Sequence, residues 1–135
     1  MITAVDTNVL IDVFAADPRF GERSGAAVRR CLAEGSLIAS DVVWAEVSGA
    51  FSSTQGFEDA TQRIGVRFSA LDSPAAMAAG AAWRAYQARS GERHRVIADF
   101  LIGAHAQAQA DRLLTRDRGF YRTYFSGLAV LDPGS

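Results

Sequence analysis

Lysine is missing from this chain: all 14 of its basic residues are arginine. That absence sets aside P-loop nucleotide hydrolases, receiver domains and haloacid-type phosphatases, α/β proteins with an early strand-end aspartate that each depend on a lysine at the site. Cysteine is nearly missing as well. Cys31 stands alone, so no internal disulfide can form, and its place on an apolar helix stripe makes it a small, inert hydrophobe. The two histidines, His94 and His105, lack companions that would make either catalytic, and there is no Cys/His set for zinc. No apolar run approaches the roughly 18 residues of a membrane span. The first residues lack the basic start and cleavage site of a signal peptide, so the expected location is cytoplasmic, with no membrane partner.

What remains is ordinary globular material. With 49% hydrophobic and 21% charged residues over 135 positions, the chain is expected to form one domain spanning 1–135. Such a domain buries roughly two-thirds of its unfolded surface in a single core. The net charge of −1 argues against non-specific nucleic-acid binding by the whole surface. The distribution is less even. Arg84, Arg89, Arg93, Arg95, Arg112, Arg116, Arg118 and Arg122 crowd the C-terminal half, and an arginine fork suits phosphate in a bidentate way that lysine does not.

The chain opens on a short apolar stretch, Ile2-Thr3-Ala4-Val5, that meets Asp6-Thr7-Asn8, residues that turn backbones and cap helices. This predicts a buried strand ending at Asp6 and a helix capped by Asp6 or Thr7, with Val9, Leu10 and Val13 at helical spacing. Further helices are expected over 22–34, closed by Gly35, over 41–51 behind a Ser40 cap, and over 57–65 after a break at 52–56. Three more follow, over 74–88 behind Ser73 and Pro74, over 96–110 and over 120–125. Between them 36–39, 67–71, 113–115 and 128–131 read as strands, the 67–71 strand near an edge, and 90–95 as a polar loop. Strands separated by helices imply an α/β fold: a five-stranded parallel sheet with right-handed crossovers and helices on both faces.

Four acids fall where such a fold gathers ligands, in the crevice beyond the strand ends. Asp6 ends the first strand. Glu46 shares a helix face with Val42, Val43, Gly49 and Ala50, where a charge is expensive unless something compensates it. Asp99 sits in the first turn of its helix on a stripe with Val96, Ile102, Gly103 and Ala106; a stabilising acid at a helix N-terminus is the plain structural alternative. Asp117 follows the fourth strand, where a turn-former before Gly119 is the alternative. Carboxylates converging there repel, on the order of 4 kcal/mol for a pair 4 Å apart at an effective dielectric of 20. Cations would resolve that repulsion, and an all-oxygen set suits Mg²⁺ or Mn²⁺. Metal ions so placed activate water and stabilise the leaving oxygen of a phosphodiester. Asp12, Asp41, Asp72 and Asp111 read as exposed helix or turn residues. Trp44, Trp83, Phe120, Tyr121, Tyr124 and Phe125 read as core or dimer interface rather than base-stacking platforms.

Together, Val5-Asp6-Thr7-Asn8-Val9-Leu10-Ile11-Asp12, Ala45-Glu46-Val47, Ile97-Ala98-Asp99-Phe100-Leu101-Ile102 and Leu113-Leu114-Thr115-Arg116-Asp117-Arg118-Gly119-Phe120 resemble the PIN-domain family, most of all the VapC-type toxins of bacterial toxin-antitoxin pairs. The resemblance runs from near residue 2 to 131. It implies a Mg²⁺- or Mn²⁺-dependent endoribonuclease on a five-stranded parallel sheet. Asp6, Glu46, Asp99 and Asp117 match the family's acidic, metal-binding positions; Thr7, Asn8 and Thr115 match its supporting polar ones. It also implies a homodimer, a structured RNA substrate such as a tRNA or rRNA loop, and a VapB-type antitoxin that blocks the site and alone contacts DNA. Arg89, Arg93, Arg95, Arg116 and Arg118 are candidates to grip the RNA backbone.

Two other readings stay open on the sequence. A DNA-directed nuclease of related architecture would need clamping elements for which the chain has no room. A non-catalytic module on the same scaffold would be expected to lose acids, and all four are present.

Overall fold

The computed structural model describes residues 1–89 and 95–134. The first strand, β1 (Ile2–Val5), stops one residue before Asp6, whose extended backbone (φ −79°, ψ 156°) turns the chain into α1 (Thr7–Phe14). The Asp6 carboxylate accepts from the Thr7 amide, so Asp6 rather than Thr7 caps this helix. Next come α2 (Gly21–Glu34) and β2 (Ser36–Ser40), joined at Gly35. Gly35 is extended rather than left-handed, and glycine is required there because a Cβ would collide with the Met1 carbonyl, the acceptor for Ser36 N at 2.9 Å.

Ser40 caps α3 (Asp41–Ser48) through its hydroxyl, as its sequence position predicts. The break expected at 52–56 falls at 49–53 instead, because α3 ends at Ser48 rather than running to Phe51. Ser53 Oγ accepts from Gly56 N, so α4 (Thr54–Ile64) starts three residues earlier than the apolar periodicity suggested and ends on the left-handed Gly65 (φ 92°). The edge strand β3 is only Arg67–Ser69, and α5 (Ser73–Arg89) is capped by the Asp72 carboxylate on Ala75 N at 2.9 Å, not by Ser73. The expected polar loop at 90–95 lies, except for Arg95, outside the described residues, and so do Arg93 and His94. The chain continues through α6 (Ile97–Gln109), β4 (Arg112–Leu114), α7 (Arg118–Tyr124) and β5 (Val130–Leu131). None of the described helices is long and apolar enough to cross a membrane.

The five described strands form one parallel sheet in the order β3-β2-β1-β4-β5. Successive residues of a strand face opposite sides, and Thr3, Ala4 and Val5 are all buried, so helices cover both faces of the central strand. Leu113, Leu114 and Thr115 repeat the pattern beside it. One aromatic cluster, built on Phe100 with Trp83, Tyr86, Phe120, Tyr124 and Phe125, ties α5 and α6 to α7. Phe125 packs so closely on Gly103 that a Cβ there would lie 2.5 Å from a ring carbon.

Candidate active site

The strand order reverses direction around β1: β2 and β3 extend the sheet to one side, β4 and β5 to the other. Open parallel sheets hold ligands at such a switch point, beyond the C-terminal strand ends. Asp6 stands there, its amide donating to Leu114 O at 2.9 Å across the β1–β4 boundary. Its side chain is buried and accepts from Thr7 N (2.7 Å), Thr115 Oγ1 (2.7 Å), Tyr121 OH (3.1 Å) and Asn8 Nδ2 (3.4 Å). Burial nevertheless outweighs these donors and, helped by the negative charge of Asp99, pushes the Asp6 carboxyl up to about 6. Burial and the adjacent Asp6 likewise push the Tyr121 phenol far above its ordinary range, so it stays protonated and donates.

The supporting polar residues link the acids in pairs. Thr7 gives its amide to Asp6 and its hydroxyl to Glu46 Oε1 at 2.6 Å. Thr115 donates to Asp6 and accepts from Asp117 N at 3.0 Å. Asn8 faces Asp6 with its amide nitrogen, while its oxygen takes Arg116 N at 3.3 Å. Glu46 differs from its sequence expectation. It is exposed, and of its i±3 and i±4 neighbours only Val43 is buried, because the short α3 leaves this turn at the rim of the crevice, where the Thr7 hydroxyl donates to it. Asp99 is half-buried in the first turn of α6 and accepts from Val96 N at 3.4 Å, so the helix-terminal alternative holds for it, and its charge also reaches Asp6.

Asp117 takes both arms of the Arg95 fork, Nη1 on Oδ2 at 2.5 Å and Nη2 on Oδ1 at 3.3 Å. Arg95 Nη1 also lies 3.9 Å from Asp99 Oδ2, and the guanidinium rests on the Phe120 ring, 4.2 Å from its centre. The other candidate arginines are dispersed. Arg116 forks onto Asp12, Nε–Oδ2 at 2.7 Å and Nη2–Oδ1 at 3.1 Å, and stacks on Phe20 at 3.9 Å. Arg89 is exposed beside Tyr124, and Arg118 is exposed with Nε 3.8 Å from Asp132.

Two participants escape sequence reasoning. Tyr121 reads as core and is core, yet its hydroxyl reaches Asp6. Asp12 is not the exposed helix residue its sequence suggests: it is buried between Arg116 and the Ser24 hydroxyl, which donates at 2.8 Å. Its position one helical turn beyond Asn8 and the fully buried Val9 is the one available signal.

Among the described residues no three Asp, Glu, His or Cys side chains stand close enough to enclose a metal ion as they are. The set fits a hard divalent cation in its chemistry instead. All its charged donors are carboxylates, and the buried Asp6 is held back from ionisation by burial and by Asp99, a penalty that a neighbouring cation removes.

A parallel α/β sheet with acids near its switch point defines an open α/β protein with its candidate site beyond the strand ends, and the comparisons with known proteins narrow it. The family model described as the PIN domain matches residues 3–126, and the chain belongs to that family. Its fold is similar to that of VapBC2 from Rickettsia felis bound to a DNA fragment from its promoter, with a TM-score of 0.74 at 17% identity over 98% of each chain. It is similar also to VapBC-1 from nontypeable Haemophilus influenzae, with a TM-score of 0.69 at 22% identity over 100% of each chain. A third likeness is to Mycobacterium tuberculosis VapC20, a sarcin-ricin loop cleaving toxin, with a TM-score of 0.55 at 17% identity over 82% of this chain and 86% of that one. A search of curated proteins gives no significant match.

Proposed function

We propose that this protein is a Mg²⁺- or Mn²⁺-dependent endoribonuclease acting as the VapC-type toxin of a toxin-antitoxin pair. The observation that carries the reading is the buried Asp6 carboxylate at the sheet's switch point, linked through Thr7 to Glu46 and through Thr115 to Asp117, with Asp99 close enough to raise its pKa. Asp6, Glu46, Asp99 and Asp117 would hold the ion. Bound there, it supplies activation of water and stabilisation of charge on the phosphodiester. Thr7 and Thr115 fix the carboxylates from which it is held; Tyr121 and Asn8 keep Asp6 oriented. Exposed Arg89 and Arg118 are the best placed of the candidate arginines to meet an RNA backbone, since Arg116 is engaged by Asp12.

The fold's likeness to VapBC complexes supports a VapB-type antitoxin as partner. DNA contact only through that antitoxin, a homodimeric toxin and a cytoplasmic location belong to the same proposal and rest on the family resemblance of the sequence. The likeness to a toxin that cleaves the sarcin-ricin loop supports a structured RNA, from tRNA or rRNA, as substrate. The test is direct: purified protein is incubated with total RNA and Mg²⁺ or Mn²⁺, beside EDTA and Asp99→Asn controls, and new RNA ends are sequenced. Discrete ends that vanish in both controls are expected. Intact RNA, from protein shown to bind Mn²⁺ and to be free of antitoxin, would overturn the ribonuclease assignment.

A further inference from the structure

Arg95 holds an unusual position for a basic residue next to an acidic site. It stands just before α6, four residues ahead of Asp99; its amide donates to Tyr86 OH at 3.2 Å, and its guanidinium carbon lies over the Phe120 ring, 4.2 Å from the centre. These contacts aim the fork inward. Both Asp117 oxygens accept from it, and Asp99 Oδ2 is 3.9 Å away, so one cation spans two of the four acids, carried on separate elements. The two acids in turn raise the Arg95 pKa further, Asp117 most strongly.

Resting on the metal-dependent reading above, we propose that Arg95 is a built-in rival of the divalent cation: it occupies the Asp117 carboxylate that the ion needs, so ion binding must displace it. The lone pairs decide this. A carboxylate oxygen that accepts a short, charge-assisted hydrogen bond presents less density to a metal, and here both oxygens of Asp117 are engaged. A guanidinium left in place would also repel an incoming divalent ion across a partly dry gap. The arrangement serves the fold without metal, because its single positive charge offsets part of the repulsion between Asp117 and Asp99. It also lowers the affinity of the site for the ion below what its four acids alone would provide. Only arginine can act in this way, since the fork must meet both oxygens at once.

The test is calorimetric titration of Mn²⁺ into the metal-free protein and its variants, with melting curves alongside. Arg95→Gln is expected to bind Mn²⁺ about five- to tenfold more tightly, the scale of one partly exposed bidentate pair. Its metal-free melting temperature should fall, and saturating Mn²⁺ should narrow that gap. Arg95→Lys, which keeps the charge without the fork, should lie between the two. With Asp117→Asn as background, the gain from Arg95→Gln should shrink to the part that loss of the positive charge alone provides, because the contested carboxylate is gone. Equal or weaker Mn²⁺ binding by Arg95→Gln and Arg95→Lys, or a gain undiminished in Asp117→Asn, would overturn the rivalry while leaving the metal site standing. Failure of wild type and all variants to bind Mn²⁺ would remove the metal-dependent reading and this inference with it.

Discussion

Asp6 and His105 are both buried titratable groups, and they respond to pH in opposite senses. The Asp6 carboxyl, 3.8 in an unfolded chain, is pushed up to about 6 in the fold, so the folded metal-free protein holds this proton more tightly. Stability from this group is full below 3.8 and is lost as pH rises through about 6, leaving a cost of about 3 kcal/mol at neutral pH. Metal-free Asp6→Asn should therefore be more stable than wild type at pH 7.5 and no more stable near pH 4, as read from urea melts, while losing any cleavage activity. His105 is pulled below its ordinary value of 6.5 by burial, with its Nε2 paired to Ser69 Oγ at 3.0 Å. Its contribution is present above 6.5 and lost as pH falls, so His105→Gln should flatten the acid side of the same stability profile. At this scale the sequence was informative where chemistry is local. The places of Asp6, Asp99 and Asp117, after a strand or at the opening of a helix, follow from local pattern. Tyr121 and Asp12 do not, because their partners stand 115 and 104 residues away and no periodicity carries that distance.

Elements were legible in kind and order, and less so at their ends, where a single side chain decides. Ser53 recruits Thr54, Gln55 and Gly56 into α4, and Asp72 displaces Ser73 as the cap of α5, because an oxygen aimed at a free amide outweighs the apolar pattern. Glycines show the same limit. Gly103 reads as one more small residue on an apolar stripe, yet it is where the Phe125 ring presses on α6. Gly103→Ala should destabilise the protein by about 1–3 kcal/mol, since Phe125 is itself buried and cannot swing aside. A thermal melt unchanged by this substitution would mean that α6 and the segment after α7 are packed less tightly than the structure shows.

On the scale of the whole molecule, a sheet ordered β3-β2-β1-β4-β5 sets β1 at its centre; strand-helix alternation predicts that the strands are parallel, but their order is set by packing across the chain. Which basic residues serve the substrate was not legible, because a mildly acidic chain offers arginine for several uses. Arg95 and Arg116 are forked onto acids, whereas Arg89 and Arg118 lie exposed, Arg118 with a long contact to Asp132. RNA binding should consequently weaken as salt rises, but with a shallow slope of about two counterions, measured by filter binding from 50 to 200 mM salt. The bond from Asp6 N to Leu114 O makes the middle of the sheet and the floor of the crevice one piece of chain. Suppose, then, that cells were forced to survive expression of this protein. Harmless variants altered at exposed Glu46 or half-exposed Asp99 and Asp117 should accumulate as soluble, folded protein. Those altered at buried residues of β1 or β4 should vanish by degradation, so that escape through the rim and escape through the floor leave different amounts of protein behind.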